Sequence, residues 1–219
     1  STRPNARLAG CVAAGCAAMI KAKFPFLSGM QVGEQLRNTT DNIDALNPTY
    51  VGKIGSGRVN LFGAVNAFSS KPSILLETYN ITDNNDEGFV LGDTVRLSAS
   101  FINYLSASGN IVATVTTTAN YVTILDNSST LGVMGTLATK DNFADPFTIK
   151  ILNTAPVNGK PIFKITLTDG TYTRDEYVSF TVNVDYININ INDVATSITS
   201  TSLIGFNDFS TQLEGLGFI

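Results

Sequence analysis

Apolar residues recur along this chain with two different periods, and the change falls near residue 70. Up to that point the spacing is helical. Leu8–Lys23 is apolar almost all round, a composition a helix tolerates when it is buried on every side. Ser28 followed by Gln31 is a capping-box pair that opens a helix over about 29–39. Gly55-Ser56-Gly57 leads into a third helix, about 57–68, with Val59, Phe62, Val65 and Phe68 near one face. Two short helices are too little cover for a fully buried one, so the first segment lacks a core partner. The first helix is therefore expected to pack on the other two helices, on the following domain or on a second copy of the chain.

Beyond Ser69-Ser70-Lys71-Pro72, which reads as a linker, the period becomes two. Val95, Leu97, Ala99 and Phe101 alternate with polar residues, as do Phe163, Ile165 and Leu167, and Val178, Phe180, Val182 and Val184. Further strands are predicted over 73–79, 110–117, 120–125 and 147–152. Turn signals at Ser108-Gly109, Asp145-Pro146, Asn158-Gly159 and Asp169-Gly170 separate them. About seven short strands in this stretch predict an antiparallel, immunoglobulin-like β-sandwich. Ile187, Ile189 and Ile191 then alternate with asparagines, and the glycine-punctuated end reads as a further β segment or tail. The expected fold is mostly β with an α-helical N-terminal segment, divided at 1–70, 71–188 and 189–219.

Composition narrows the chemistry. The 219 residues include 14 Lys and Arg against 18 Asp and Glu, a net charge of −4. That balance does not attract a phosphate backbone, and no basic amphipathic helix marks a membrane surface. The apolar run Leu8–Ile20 is too short to span a bilayer. Histidine is absent, which removes the usual neutral-pH general base and the commonest transition-metal ligand. Cys11 and Cys16 are the only cysteines. On one helix their Cα atoms lie roughly 8–9 Å apart, beyond disulfide reach. They read as two buried thiols.

Three ordered pieces of the first 70 residues resemble subtilisin-like serine peptidases. Ala13-Ala14-Gly15-Cys16-Ala17-Ala18-Met19-Ile20 with Phe24-Pro25 resembles the helix that follows the nucleophile. Gln31–Arg37 with Thr39-Thr40-Asp41-Asn42-Ile43-Asp44 is similar to the next helix and its T-A-D-D-I-D tail. Gly55-x-Gly57-Arg58-Val59-Asn60 is similar to the G-x-G-R-V-N element before the last helix. The resemblance implies the C-terminal end of a subtilisin-like α/β domain. Counting back from Gly15 without gaps puts Arg7 at the nucleophile's place, with Asn5-Ala6 where Gly-Thr belongs. Residues 1–7 do not resemble the family. A gapped register would place Ser1 there, at the cost of the spacing to the helix. The family's Asp, His and oxyanion Asn precede the nucleophile, and without histidine no Ser-His-Asp triad can be assembled. No catalytic residue is assigned, and this chain alone is expected to be inactive.

The sandwich resembles modules that follow the catalytic domains of secreted bacterial peptidases, opened by a D-x-N-x-D-G … G-D/E-T-V-x-L stretch. Asp83–Gly88 followed by Gly92-Asp93-Thr94-Val95-Arg96-Leu97 carries that likeness. Asp83, Asn85, Asp86 and Glu87 are candidate Ca²⁺ ligands. The same residues also read as a solvated turn bonded to its own backbone. Tyr79, Tyr104, Tyr121, Tyr172 and Tyr177 would make a sugar platform if they met on one face; otherwise they cap the sandwich. Asn38, Asn80 and Asn127 head glycosylation triplets.

The function these readings imply is the C-terminal part of a secreted subtilisin-like endopeptidase with an accessory sandwich of structural or processing role. Its partners would be the upstream catalytic domain and, for the parent enzyme, a polypeptide substrate. A homodimer through the uncovered helix is a further partner, and Ca²⁺ the candidate cofactor. The expected location is extracellular, secreted or at the cell surface. The alternative is an adhesion or carbohydrate-binding sandwich without enzymatic activity. Glycan binding by 72–188 alone would favour that alternative.

Overall fold

A computed structural model describes residues 6–50, 55–66, 71–83, 88–191, 194–199 and 203–206. The fold is mostly β with an α-helical N-terminal segment. Three helices, α1 (Ala6–Lys23), α2 (Gly29–Asn38) and α3 (Leu61–Asn66), precede the strands. Two short 3₁₀ turns, Asp44–Leu46 and Pro48–Tyr50, lie between α2 and α3.

Helix α1 stops at Lys23, and Lys21 turns its ammonium onto the Pro25 and Leu27 carbonyls just beyond. Positive charge there complements the helix dipole. The capping box of α2 forms as its sequence predicts. Ser28 accepts from the Gln31 amide, and the Gln31 side chain accepts from the Ser28 amide at 3.0 Å. Together the helices enclose a small core of Ile20, Leu27, Val32 and Ala64. Gln35 ties α2 to α3 by donating to the Ala64 carbonyl at 3.0 Å.

The expected all-round burial of α1 does not hold. Among its described side chains, only Cys16 and Ile20 are buried, with Ala13 and Ala17 half-buried beside them. These four positions recur at helical spacing and make one stripe, toward α2 and α3. Val12 and Met19 on other faces remain more than half exposed. Two short helices cover one side of a helix and no more. The two thiols part company for the same reason: Cys16 is buried, Cys11 is exposed, and both are free. The third helix also starts later than predicted, at Leu61 rather than near residue 57. Its buried residue is Ala64, while Phe62 is exposed and Val59 precedes the helix. Phe68 lies outside the described residues.

The sandwich consists of two antiparallel sheets. One has the order β1-β2-β7-β4, built from Ile74–Thr82, Thr94–Asn103, Phe147–Ile151 and Val122–Asp126. A short strand, β6 (Thr139–Asp141), also pairs with β2. The other has the order β5-β3-β8-β9, built from Ser128–Val133, Asn110–Thr117, Ile162–Thr168 and Thr173–Ser179. The predicted alternation supplies the core. Val95, Leu97, Ala99 and Phe101 from β2 meet Ile111, Ala113 and Val115 from β3. Phe147, Ile149 and Ile151 from β7 meet Phe163, Ile165 and Leu167 from β8. All thirteen are fully buried.

The strand expected over 178–184 instead spans Thr173–Ser179. Its earlier core-side positions carry Arg174 and Glu176, which pair with each other at 2.9 Å. An edge strand tolerates charge there, and charge is one way such edges resist stray pairing. Downstream, Phe180 leaves the ladder to stack on Phe163 at a 5.2 Å centroid distance, and Val182 makes an isolated bridge to Gly159. A third antiparallel sheet follows, β10 (Tyr186–Ile191), β11 (Val194–Thr199) and β12 (Ile204–Phe206).

Asn103, fully buried at the end of β2, organises one pole of the sandwich. Its Oδ1 accepts from the Ser73 amide at 2.9 Å and the Leu105 amide at 3.3 Å. Its Nδ2 donates to the Ser106 and Met134 carbonyls at 2.7 and 3.0 Å.

Two stability measurements follow. Phe163→Ala should lower the unfolding free energy by about 3–5 kcal/mol in a denaturant titration, from the lost transfer energy and the cavity left behind. Asn103→Ala should cost about 3 kcal/mol, because the Ser73 and Leu105 amides lose their acceptor at once and the pole loses the side chain that ties its loops.

Candidate functional site

The pieces that carry the peptidase resemblance are brought together, and what they build is structural. Asp41 and Arg58 exchange backbone hydrogen bonds, each 2.9 Å, in an isolated antiparallel bridge. The Arg58 guanidinium then donates to Asp41 Oδ2 at 2.8 Å, and Asn60 donates to Oδ1 at 2.7 Å. The Arg58 hydrogen bond is the main reason the Asp41 carboxyl titrates below its ordinary range, with Asn60 next. Gly57 makes the approach feasible. Its φ is +126°, and a Cβ there would sit 2.1 Å from the Asp41 carbonyl oxygen. The T-D-N-I-D tail and the G-x-G-R-V-N element therefore form one stapled loop. Arg7, at the nucleophile's register, lies in the first turn of α1.

The candidate calcium ligands divide. Asp83 follows β1, while Asn85, Asp86 and Glu87 lie outside the described residues. No group of three His, Cys, Asp or Glu side chains gathers to hold a metal among the described residues. The tyrosines do not form one platform. Tyr121 and Tyr172 pack against the sandwich core, whereas Tyr79 and Tyr177 are exposed on β1 and β9. Of the glycosylation triplets, Asn80 and Asn127 are exposed. Asn38 is engaged, donating to the Pro72 carbonyl at 3.1 Å.

That last bond belongs to a polar seam between α2 and the sandwich. Gln31 donates to the Tyr104 carbonyl at 3.0 Å. The buried Glu34 carboxylate accepts from both Arg37 and the Ser73 hydroxyl. Ser73 in turn gives its amide to Asn103, and Tyr172 takes the Ile74 amide on its hydroxyl at 2.8 Å. Burial raises the Tyr172 phenol above its ordinary value.

At one side of this seam the surface opens into a cleft of about 730 Å³. One wall is Arg37, Thr40, Asn42 and Ser56; the other is Asp169, Thr171, Thr173 and Arg174. Lys71 and Pro72 of the linker join the lining, as does Tyr172. Asp169 is saturated. Its Oδ1 accepts from the Tyr172 amide at 2.7 Å and from the Thr171 amide and hydroxyl at 2.9 Å each, and Oδ2 from the Gly109 amide at 2.8 Å. These bonds, the Tyr172 amide foremost, pull its pKa down to about 2. Sequence reading identifies Asp169-Gly170 only as a turn. The cleft depends on five segments of the chain, and no local pattern brings those together.

No family model matches the chain, and no curated protein matches it. Among solved structures, an FixG-related protein from Vibrio parahaemolyticus is 14% identical over 48% of this chain and 94% of its own, with a TM-score of 0.29. No helix of the described residues is long and apolar enough to cross a membrane.

Gly57→Ala should cost about 1–3 kcal/mol and deprotect the Asp41 and Arg58 amides in hydrogen exchange, since both the steric clash and the left-handed backbone oppose a side chain. Asp169 titrates lower in the folded chain than its ordinary 3.8, so its contribution to stability is complete above about pH 4 and is lost as pH falls through about 2. Thermal unfolding of the wild type and Asp169→Asn across this acid range should show the wild type losing its advantage as it is acidified.

Proposed function

We propose that this chain is the C-terminal portion of a secreted subtilisin-like serine endopeptidase, followed by an immunoglobulin-like sandwich with a structural or processing role. The observation that carries the reading is the one-sided burial of α1. Its sequence suits a helix covered all round, yet Val12 and Met19 stand more than half exposed while Cys16 and Ile20 are covered by α2 and α3. A parallel sheet laid on the open faces would complete the burial, and such helix-on-sheet packing is how an α/β domain encloses its core. The Asp41–Arg58 staple also supports it, because the two motifs that it joins are those of the resemblance.

For the sandwich, support comes from connectivity. The partition of β1, β2, β7 and β4 against β3, β8 and β9 follows the A-B-E-D and C-F-G division of the immunoglobulin architecture, with β5 added beside β3. In this reading the parent enzyme's Asp, His and Ser come from upstream of α1. The chain holds no histidine and supplies no member of the triad. What it contributes is the last layer of the catalytic domain and a β module held to it through the α2 seam.

The test is direct. The upstream reading frame should encode Asp- and His-bearing subtilisin motifs, and the secreted full-length product should be labelled by a fluorophosphonate. Residues 1–219 alone should show no labelling. An unrelated upstream domain, or labelling of this chain by itself, would end the assignment.

A further inference from the structure

The cleft between helices and sandwich carries chemistry that the peptidase reading leaves unused. We propose that it binds an acidic sugar, a hexuronate unit of a polysaccharide, through its carboxylate and ring hydroxyls. This develops the polysaccharide-binding alternative and places the site at the junction, so that the sandwich alone would lack one wall. It does not depend on the peptidase assignment.

Charge is the first reason. A chain with a net charge of −4 nevertheless lines this one cleft with Arg37, Lys71 and Arg174. The single carboxylate in the lining, Asp169, has both oxygens occupied by donors of the sandwich loops. Its charge is thus committed to the loop that it folds.

The two guanidinium groups are held in ways that leave donors over. Arg174 gives both Nε and Nη2 to Glu176 Oε1, which fixes its plane. Arg37 gives Nη2 to Glu34, while its Nε is buried with no hydrogen-bond partner. The Nη1 groups carry the donors that remain for a ligand. Guanidinium matches the geometry of a carboxylate, and orientation fixed beforehand lowers the entropy lost on binding.

The rest of the lining selects the remainder of the ligand. Thr40, Asn42, Ser56, Thr171 and Thr173 are hydroxyl and amide side chains, suited to ring hydroxyls and of little use to an apolar body. About 730 Å³ falls in the range that encloses a small ligand. A densely charged polyanion such as nucleic acid would meet the net negative charge of the protein beyond the cleft. A polymer with one carboxylate per hydroxyl-rich ring would not meet that obstacle to the same degree.

Titration of the whole 219-residue chain with trigalacturonate, neutral galactotriose and sodium sulfate, followed by amide chemical shifts and calorimetry at low salt, tests the proposal. Trigalacturonate should move the amides of 37–42 and 169–174 and bind about tenfold or more tightly than galactotriose. Lys71→Gln and Arg174→Gln should each weaken it about fivefold or more, with amide shifts away from the cleft matching the folded wild type. Equal binding of the neutral sugar, equal binding of sulfate, wild-type affinity in both variants, or no shift at all would overturn it. Fluorophosphonate labelling reads the peptidase assignment separately, so the failure of one leaves the other standing.

Discussion

A buried carboxylate sets the relation between the two halves of this protein. Glu34, on the inward face of α2, accepts from Arg37 on its own helix and from Ser73 at the threshold of β1. A charge taken out of water is costly unless it is paired and hydrogen-bonded, so this contact is directional in a way that apolar packing is not. Ser73 passes the constraint on, because its amide binds Asn103 inside the sandwich pole. One line of hydrogen bonds thus runs from helix to linker to β-domain. The helical core of four buried side chains is small beside the twenty of the sandwich, and the seam gives it a rigid neighbour.

The seam also explains where the cleft lies. Once α2 is fixed by Gln31, Glu34 and Asn38, the chain after it must run along the edge of the sandwich near Asp169–Arg174. The Asx turn of Asp169 and the Arg174–Glu176 pair keep that edge in shape. The staple between Asp41 and Arg58 keeps the opposite wall in shape. Both walls are thus held by hydrogen bonds internal to their own loops. A site built on such walls changes little when a ligand arrives, which favours affinity through low ordering cost.

The open faces of α1 are a different kind of feature. Apolar groups in water are unfavourable in proportion to their area, and a stable monomer keeps such patches small. The stripe through Ala13, Cys16, Ala17 and Ile20 accounts for one side only. The sandwich does not fold back to cover the others, because the seam already holds α2 against it. The helix is therefore the element whose sequence and surroundings agree least.

Much of this architecture follows from the residues alone. Strict alternation in β2, β3, β7 and β8 marks strands whose one face is buried, because a period of two leaves no other way to bury every second side chain. The capping box of α2 is equally local, since both of its bonds lie within four residues. What tertiary structure alone decided is everything set by partners distant in sequence. The start of β9 carries Arg174 and Glu176 where alternation would put apolar groups, so only its ladder with β8 makes it a strand. Strands β5 and β6 exist through their pairing with β3 and β2. The exposure of α1 depends on how much its neighbours cover, and the cleft on five segments converging. Local spacing encodes which face of a segment is apolar; whether anything comes to lie against that face is a property of the assembled chain.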